Sequence, residues 1–307
     1  MGTVQAVCML PDRRNMKLAF ITDEATQDLH EAIRFAKDYH LDGVELRSVY
    51  DTPIDQIPAD TLTDWKRQLD ENGLRVCSLA SSFYKCGTSP EEISENMEKL
   101  NRLCSASDIL DCPVIRGFAF FSPESGLIPA AELVPFFDEP IRLLKARKKT
   151  LLLEADPSVN TTSHRALASL LKAIDSPCAG AIFDPGNDIY DPFREQPFPE
   201  GYMAIRPWIR HIHIKDAIYK NGEPECVMIG TGLVPYPELL AQIAADGYQG
   251  WLSLETHYRK DIVLTEEQMR LPQGASFSVG GLAAAAESAE ALHTLLNEVQ
   301  KGREASL

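Results

Sequence analysis

Eight short apolar runs constrain the fold of this chain more than any other feature of its sequence. Each run is rich in Val, Ile, Leu or Phe and is followed by turn or polar residues; the runs cover residues 17–22, 43–47, 75–81, 113–117, 150–154, 180–184, 209–215 and 251–255. Amphipathic stretches of helical period separate them, which is the pattern of strand–helix units around a parallel sheet. Eight such units close a barrel, so the sequence predicts a single-domain α/β protein with a (β/α)8 TIM barrel fold.

The stretches between the runs carry helix signals. Ser89, Pro90 and Glu92 offer an N-cap, a first-turn proline and a capping glutamate, so a helix is expected to begin at Pro90. Two polar segments, 188–201 and 258–281, look instead like long loops after the sixth and eighth strands. On a barrel, such loops lie over the active site.

The length and composition of the chain favour one domain. Its 307 residues are 44% apolar, which is enough for one large core. Residues 1–15 have no periodicity and are interpreted as an N-terminal tail, with the barrel over 16–307. Met16 would serve equally well as the natural start of the protein.

The charge and the cysteines bear on partners and location. The formal charge of −15 repels phosphate backbones and anionic lipid headgroups, so neither nucleic acid nor membrane is expected as a partner. No run approaches the roughly 18 uncharged apolar residues of a membrane span. Seven scattered cysteines, without C-x-x-C spacing, are typical of reduced thiols in a cytoplasmic protein.

Ionisable side chains stand at the carboxyl ends of four consecutive predicted strands. Glu154 closes the fifth run and Asp184 the sixth, while His213 lies in the seventh and Glu255 closes the eighth. Parallel strands buried on both faces are normally apolar, so charges there must be paired, bind a cation or face the barrel mouth. Three carboxylates and one imidazole suit a hard divalent metal, Mn²⁺, Mg²⁺ or Co²⁺.

The alternative explanation of these residues is structural. Arg47, Arg116 and Lys215 also lie near strand ends and would neutralise the carboxylates in salt bridges at the barrel mouth. Such a network is a frequent explanation for any one of the four residues. It is a weaker explanation for all four together.

Several motifs resemble those of the sugar phosphate isomerase/epimerase superfamily. The resemblance runs from about Met16 to about Val299 and rests on segments 42–47, 151–154, 183–187, 211–216 and 247–255. It implies a xylose isomerase-like TIM barrel, the fold of ketose 3-epimerases, hydroxypyruvate isomerase and inositol-catabolism enzymes. It also implies one divalent metal ion, with Mn²⁺ preferred.

Matched position by position, the resemblance assigns the metal to Glu154, Asp184, His213 and Glu255. In the epimerase branch the two glutamates also form the acid–base pair. That branch carries a histidine three residues after the aspartate, where this chain has Asn187. Asparagine hydrogen-bonds a substrate oxygen but takes up no proton.

The expected function is a metal-dependent isomerase or epimerase of a small sugar, keto-polyol or keto acid, acting by proton abstraction and a metal-stabilised enediolate. A lyase or dehydratase of a cyclic keto polyol, dehydroshikimate-like or inosose-like, is the alternative on the same site. An apurinic endonuclease needs several zinc ions, more histidines and a basic face, which the charge disfavours. The non-enzymatic alternative is a barrel that only binds a sugar. The presence of both Glu154 and Glu255 disfavours it, because binding alone requires no second acid–base group.

Further residues are candidates for contact with a small sugar-like substrate. They are Asn187, Lys215, Arg116, His257 and Glu45. Structural alternatives are a salt bridge from Lys215 to Asp216 or Glu45, and an ion pair between Glu45 and Arg47. Gly230 and Gly232 would either approach a phosphate or simply form turns. The fold also commonly forms homo-oligomers.

Overall fold

The computed structural model describes residues 16–304, and in it the eight predicted strands form one parallel barrel. In chain order, β1 to β8 are Lys17–Phe20, Gly43–Leu46, Arg75–Phe83, Val114–Gly117, Thr150–Glu154, Ala179–Phe183, Ile209–Ile214 and Trp251–Leu254. From β2 to β8 each strand is paired with the next one in the chain, and β8 is paired with β1. A bridge between Ile21 and Glu45 joins β1 to β2 and closes the ring. The predicted TIM barrel is confirmed, while the predicted tail 1–15 lies outside the described residues.

Helices surround the barrel. The longer ones are Leu29–Asp38, Ala59–Glu71, Pro90–Ile109, Asp138–Arg147, His164–Ile174, Tyr236–Ala245 and Gly281–Glu304. The predicted start at Pro90 is confirmed, because the Ser89 side chain accepts from the Glu92 backbone and Glu92 reaches back in a capping box. Among residues 16–304, no helix has both the length and the apolar character to cross a membrane.

The core lies on both faces of the strands. In helix Leu29–Asp38 the residues at helical spacing, Leu29, Ala32, Ile33 and Ala36, are buried. They pack in the same apolar cluster as β1 residues Leu18 and Phe20. Full burial of each large apolar side chain contributes about 1.5–3 kcal/mol relative to exposure. The six cysteines of the described part of the chain are free thiols.

The two segments predicted as long loops contain short helices. Helix Pro185–Tyr190 extends into the start of segment 188–201. Segment 258–281 contains the helices Glu266–Arg270 and Gly274–Ser278. The sequence analysis also missed a hairpin after β7, formed by Asp216–Lys220 and Glu223–Val227. Its turn residues Asn221 and Gly222 both have positive φ, a conformation that Asn-Gly readily adopts.

Asp216 anchors the loop that follows this hairpin. Its Oδ1 accepts from the N–H groups of Ala217 and Val234, and its Oδ2 accepts from Gly230 and Gly232. The two glycine N–H groups therefore serve the fold, which corrects the suggestion that they would approach a phosphate. Asp216 likewise does not pair with Lys215, whose ammonium points to other carboxylates.

We expect Asp216→Asn to lower the free energy of unfolding by about 2–4 kcal/mol. The amide would lose part of the charge-assisted bonding and would set its own N–H groups against backbone donors. Asp38→Asn, an exposed change at a helix end, is the matched control and should stay within about 0.5 kcal/mol of wild type. Urea unfolding of the two variants measures this, and equal effects would contradict the anchoring role.

Candidate active site

The four ionisable residues predicted at strand ends converge at the carboxyl mouth of the barrel. We call Glu154, Asp184, His213 and Glu255 the quartet. Each offers one ligand atom, and these atoms all lie within 4.8 Å of one another. All four side chains are buried. Adjacent parallel strands end at the same edge, which explains why residues distant in sequence meet here.

His213 lies at the centre of the quartet. Its Nδ1 is 2.9 Å from Glu154 Oε1, 3.2 Å from Glu255 Oε2 and 4.0 Å from Asp184 Oδ2. Its Nε2 faces the opposite way, 3.2 Å from Glu45 Oε2. An Nε2–H that donates to Glu45 fixes the tautomer and leaves Nδ1 facing the three carboxylates.

Glu45 therefore lies behind His213. It is fully buried, and its Oε2 also contacts His211 Nε2 at 2.9 Å. It is absent from the pocket wall described below, so the expectation that it contacts substrate is replaced by a positioning role toward His213. The predicted ion pair between Glu45 and Arg47 is also wrong, because Arg47 is engaged elsewhere.

Two arginines hold the glutamates of the quartet in place. Arg47 donates to Asp23, to Glu24 and, over 2.9 Å, to Glu255 Oε1. Arg116 Nη1 contacts Glu154 Oε2 at 3.1 Å and Glu255 Oε1 at 3.2 Å. Each glutamate thus has one oxygen fixed by arginine and turns its other oxygen toward His213.

Asp184 divides its two oxygens in a similar way. Its Oδ1 accepts from the N–H groups of Gly186 and Asn187 and so caps helix Pro185–Tyr190. Its buried Oδ2 accepts no well-formed hydrogen bond from residues 16–304, although Lys215 Nζ lies 2.7 Å away. An oriented and under-satisfied buried oxygen suits a metal ligand.

Lys215 and Asn187 form a polar pair beside the quartet. Lys215 Nζ contacts Glu255 Oε2 and Asn187 Oδ1, both at 3.0 Å. Asn187 Nδ2 donates to the Ala155 carbonyl at 2.9 Å. The ammonium therefore bridges two quartet carboxylates, in place of the predicted salt bridge to Asp216 or Glu45.

The buried ionic cluster around the quartet has more carboxylates than cations. Six buried carboxylates belong to it: Asp23, Glu24, Glu45, Glu154, Asp184 and Glu255. Four buried cations face them: Arg47, Arg116, Lys215 and Arg259. Full ionisation would leave two uncompensated negative charges, which one divalent cation would balance.

The pKa shifts show how the cluster responds to this imbalance in the absence of a metal. Burial, together with Glu255 and Glu154, raises the pKa of Asp184 to about 7. Burial opposes protonation of His213, but Glu45 and Glu154 raise the pKa of its imidazole well above the usual range. Protons thus supply the missing positive charge, at positions where a metal would replace them.

Glu255 behaves differently from Asp184. Burial favours its neutral form, but Lys215 and His213 hold the pKa of Glu255 well below its usual range. Glu255 is therefore the ionised carboxylate of the pair at neutral pH. Neighbouring carboxylates with divergent pKa values are typical of sites that transfer protons.

Sequence reasoning missed Asp23 and Glu24. They lie in the short helix Thr22–Ala25 directly after β1, and both are fully buried. Glu24 Oε1 contacts His257 Nδ1 at 2.9 Å. The pKa of His257 is nevertheless lowered, mainly because the imidazole is buried. The same strand-end rule that found the quartet would have identified Asp23 and Glu24.

A cavity of about 260 Å³ opens above the quartet. Its wall includes Glu154, Asn187, Lys215 and Glu255, and among the predicted substrate contacts also Arg116 and His257. Segment 258–281 covers one side through residues 266 and 269–273, and Arg270 stacks 4.1 Å over the ring of Phe121. The site is thus a small, half-open pocket with polar groups at its base.

The chain matches the family model described as xylose isomerase-like TIM barrel over residues 33–291. A xylose isomerase domain protein from Planctomyces limnophilus superposes with a TM-score of 0.70 at 18% identity, covering 94% of this chain and 99% of that one. D-allulose 3-epimerase from Methylomonas sp. superposes with a TM-score of 0.69 at 17% identity, covering 92% of this chain and 98% of that one. The probable 3-DHS dehydratase of petrobactin synthesis from Bacillus anthracis superposes with a TM-score of 0.64 at 18% identity, covering 78% of this chain and 92% of that one.

Comparison with curated proteins gives no match. At the identities above, the structural similarity shows a shared fold.

Metal-free protein should lose stability as the pH rises from about 4 to about 7, in part through Asp184. Its folded pKa of about 7 exceeds the ordinary value, so the folded state keeps a proton that the unfolded chain has released. Unfolding therefore becomes easier with rising pH, by at most about 1.4 kcal/mol per pH unit for one group.

Urea unfolding with a chelator present, at several pH values, measures this slope. Asp184→Asn should flatten it, because its side chain cannot ionise, whereas the exposed control Asp38→Asn should keep the wild-type slope. Identical slopes in all three proteins would contradict the shifted pKa of Asp184.

Proposed function

The chain belongs to the xylose isomerase-like TIM barrel family, and on that premise we propose that it is a divalent-metal-dependent isomerase or epimerase of a small sugar, keto-polyol or keto acid. The single observation that carries the proposal is the quartet, whose ligand atoms lie within 4.8 Å of one another at the base of the pocket. The epimerase among the structural neighbours supports the reaction class.

Glu154, Asp184, His213 and Glu255 would hold the metal. Their oxygen and nitrogen donors favour Mn²⁺, Mg²⁺ or Co²⁺, and we propose one ion per chain, with Mn²⁺ preferred. When bound, a divalent ion supplies Lewis-acid polarisation of a substrate carbonyl. The flexible side chain of Lys215 would give up its contacts with Asp184 and Glu255 and keep its contact with Asn187.

Glu255 and Glu154 would move the proton. Glu255 would serve as the base, because its carboxylate is ionised at neutral pH and can accept a proton. It would take a proton from the carbon next to the carbonyl, whose bonding electrons pass to the carbonyl oxygen. Glu154 in its protonated form would return a proton to the opposite face of that carbon, which gives an epimer. Return of the abstracted proton to the neighbouring carbon, with transfer of the hydroxyl proton on the deprotonated carbon to the former carbonyl oxygen, gives an isomer.

Other residues would hold the substrate. Lys215 and Asn187 would bind a substrate oxygen, while Arg116 and His257 would contribute to the pocket wall. Asn187 carries no titratable proton, so proton transfer stays with the glutamates. The small molecule is the proposed partner, the cytoplasm is the proposed location, and neither nucleic acid nor membrane enters the proposal.

A dehydratase of a cyclic keto acid is the second candidate. Lys85 Nζ lies 4.7 Å and the Arg116 guanidinium 5.2 Å from the ring of Phe118, so two cations flank one apolar surface in the pocket. A ring-shaped substrate with a carboxylate matches that surface. The dehydratase among the structural neighbours also favours this candidate. Loss of a β-hydroxyl after the same proton abstraction would replace reprotonation.

The test is metal analysis followed by deuterium incorporation from D₂O into ketoses, inosose-like ketones and keto acids. We expect wild type to bind about one ion per chain and to exchange a proton of one substrate class. Glu255→Gln should lower the exchange rate by about 10²–10⁴-fold, because its amide cannot accept the proton. Glu266→Gln, a change at the pocket wall away from the quartet, is the matched control and should exchange normally.

Product analysis then separates the two candidates, since only the dehydratase releases water. Metal-loaded protein that exchanges no proton of any substrate class would overturn the proposal, as would full exchange by Glu255→Gln.

A further inference from the structure

Glu45 belongs to a second group of potential metal ligands besides its contact with His213. Glu45 of β2, Cys77 of β3 and His211 of β7 each offer a ligand atom, and these atoms lie within 4.8 Å of one another. All three residues are buried. No step proposed above uses Cys77 or His211.

One carboxylate oxygen in this group lacks a partner. Glu45 Oε2 is shared by His211 and His213, whereas Glu45 Oε1 is buried and has no hydrogen-bond partner among residues 16–304. Burying an unpaired carboxylate oxygen is costly, and buried charges are normally paired or coordinate a metal. Glu45 therefore has an unused ligand atom.

The strands are irregular where the other two ligands lie. Val44 is opposite Val76 and Glu45 is opposite Ser78, so the register of β2 against β3 skips Cys77. Ala181 is opposite Ile209 and Ile182 is opposite His211, so β7 has a second irregularity just before His211. Bulges redirect side chains and are frequent beside functional sites. Here two of them adjoin the same cluster.

Solvent reaches two of the three ligands from the amino ends of the strands. A cavity of about 400 Å³ there is lined by Cys77 and His211. Its charged lining residues are Lys17, Lys66, Arg75, Arg210, Asp70 and Asp111. Lys66 is paired with Asp70, and Lys17, Arg75 and Arg210 are exposed, so water and salt screen their charges, while Glu45 is shielded from both. An ion and a water molecule therefore have an entry path that does not cross the pocket above the quartet.

We propose that Glu45, Cys77 and His211 form a second divalent metal site that favours zinc. Thiolate, imidazole and carboxylate are the usual zinc ligands, and water from the cavity would complete four-coordination. Zinc bonds of about 2.0–2.3 Å require the three ligand atoms to close by roughly 1 Å. The Cys77 thiol would release its proton to water when it binds the ion.

This site goes beyond the proposed function and stands without it. It differs in chemistry from the quartet, which has no sulfur ligand. Glu45 links the two sites, because its Oε2 contacts His213 of the quartet, so an ion at the second site would act on the orientation of His213 through this carboxylate.

Cobalt titration of metal-free protein tests the proposal. A Co²⁺ ion bound by Cys77 gives a thiolate-to-cobalt charge-transfer band in the near ultraviolet, which an ion in the quartet cannot give. We expect the band in wild type and in Glu154→Gln, whose lesion lies in the quartet. Cys77→Ala and Cys77→Ser should both lack it, while Cys104→Ala, which removes another buried thiol, should retain it.

Cys77→Ser keeps a hydrogen-bond donor for the Val44 carbonyl. It therefore remains a valid test if Cys77→Ala fails to fold. A wild type without the band, or a band that survives both Cys77 substitutions, would overturn the second site. Because the readout is spectroscopic, it is independent of deuterium exchange. A cobalt–thiolate band without exchange on any substrate would count against the proposed function alone.

Discussion

The rest of the site depends on the excess of buried negative charge at the carboxyl mouth of the barrel. Six buried carboxylates face four buried cations there. Such an excess can be relieved only by protons or by a cation, because charge burial without compensation is too costly. The raised pKa values of Asp184 and His213 are one form of relief, and a divalent ion would be the other. Metal binding and the raised pKa values therefore have the same cause, which is the excess of buried negative charge.

The arginines determine which oxygen of each glutamate in the quartet faces His213. Arg47 and Arg116 each hold Glu255 Oε1, and Arg116 also holds Glu154 Oε2. The other oxygen of each glutamate then faces His213, whose own orientation depends on Glu45. Removing any one of these supports would release a charged group in the quartet. We infer that the supporting residues matter to the geometry as much as the quartet itself does.

Much of this arrangement follows from the sequence, because parallel strands end at one edge. The positions of Glu154, Asp184, His213 and Glu255 after apolar runs were enough to predict that they meet. The role of Glu45 was not predictable in the same way. It depends on contacts across the barrel from β2 to β7 and on strand irregularities at Cys77 and before His211, and short-range patterns carry neither. The hairpin after β7 was predictable from Asn221-Gly222 and was overlooked.

The proposed reaction requires that the quartet is a metal centre and that Lys215 only takes the place of the ion. Anomalous diffraction from crystals of the protein grown with Mn²⁺ tests it most directly. We expect one strong peak enclosed by Glu154, Asp184, His213 and Glu255, with Lys215 turned away from Asp184. An absence of manganese there, with the Lys215 ammonium still between Asp184 and Glu255, would contradict it and leave a salt-bridge network in place of a metal site.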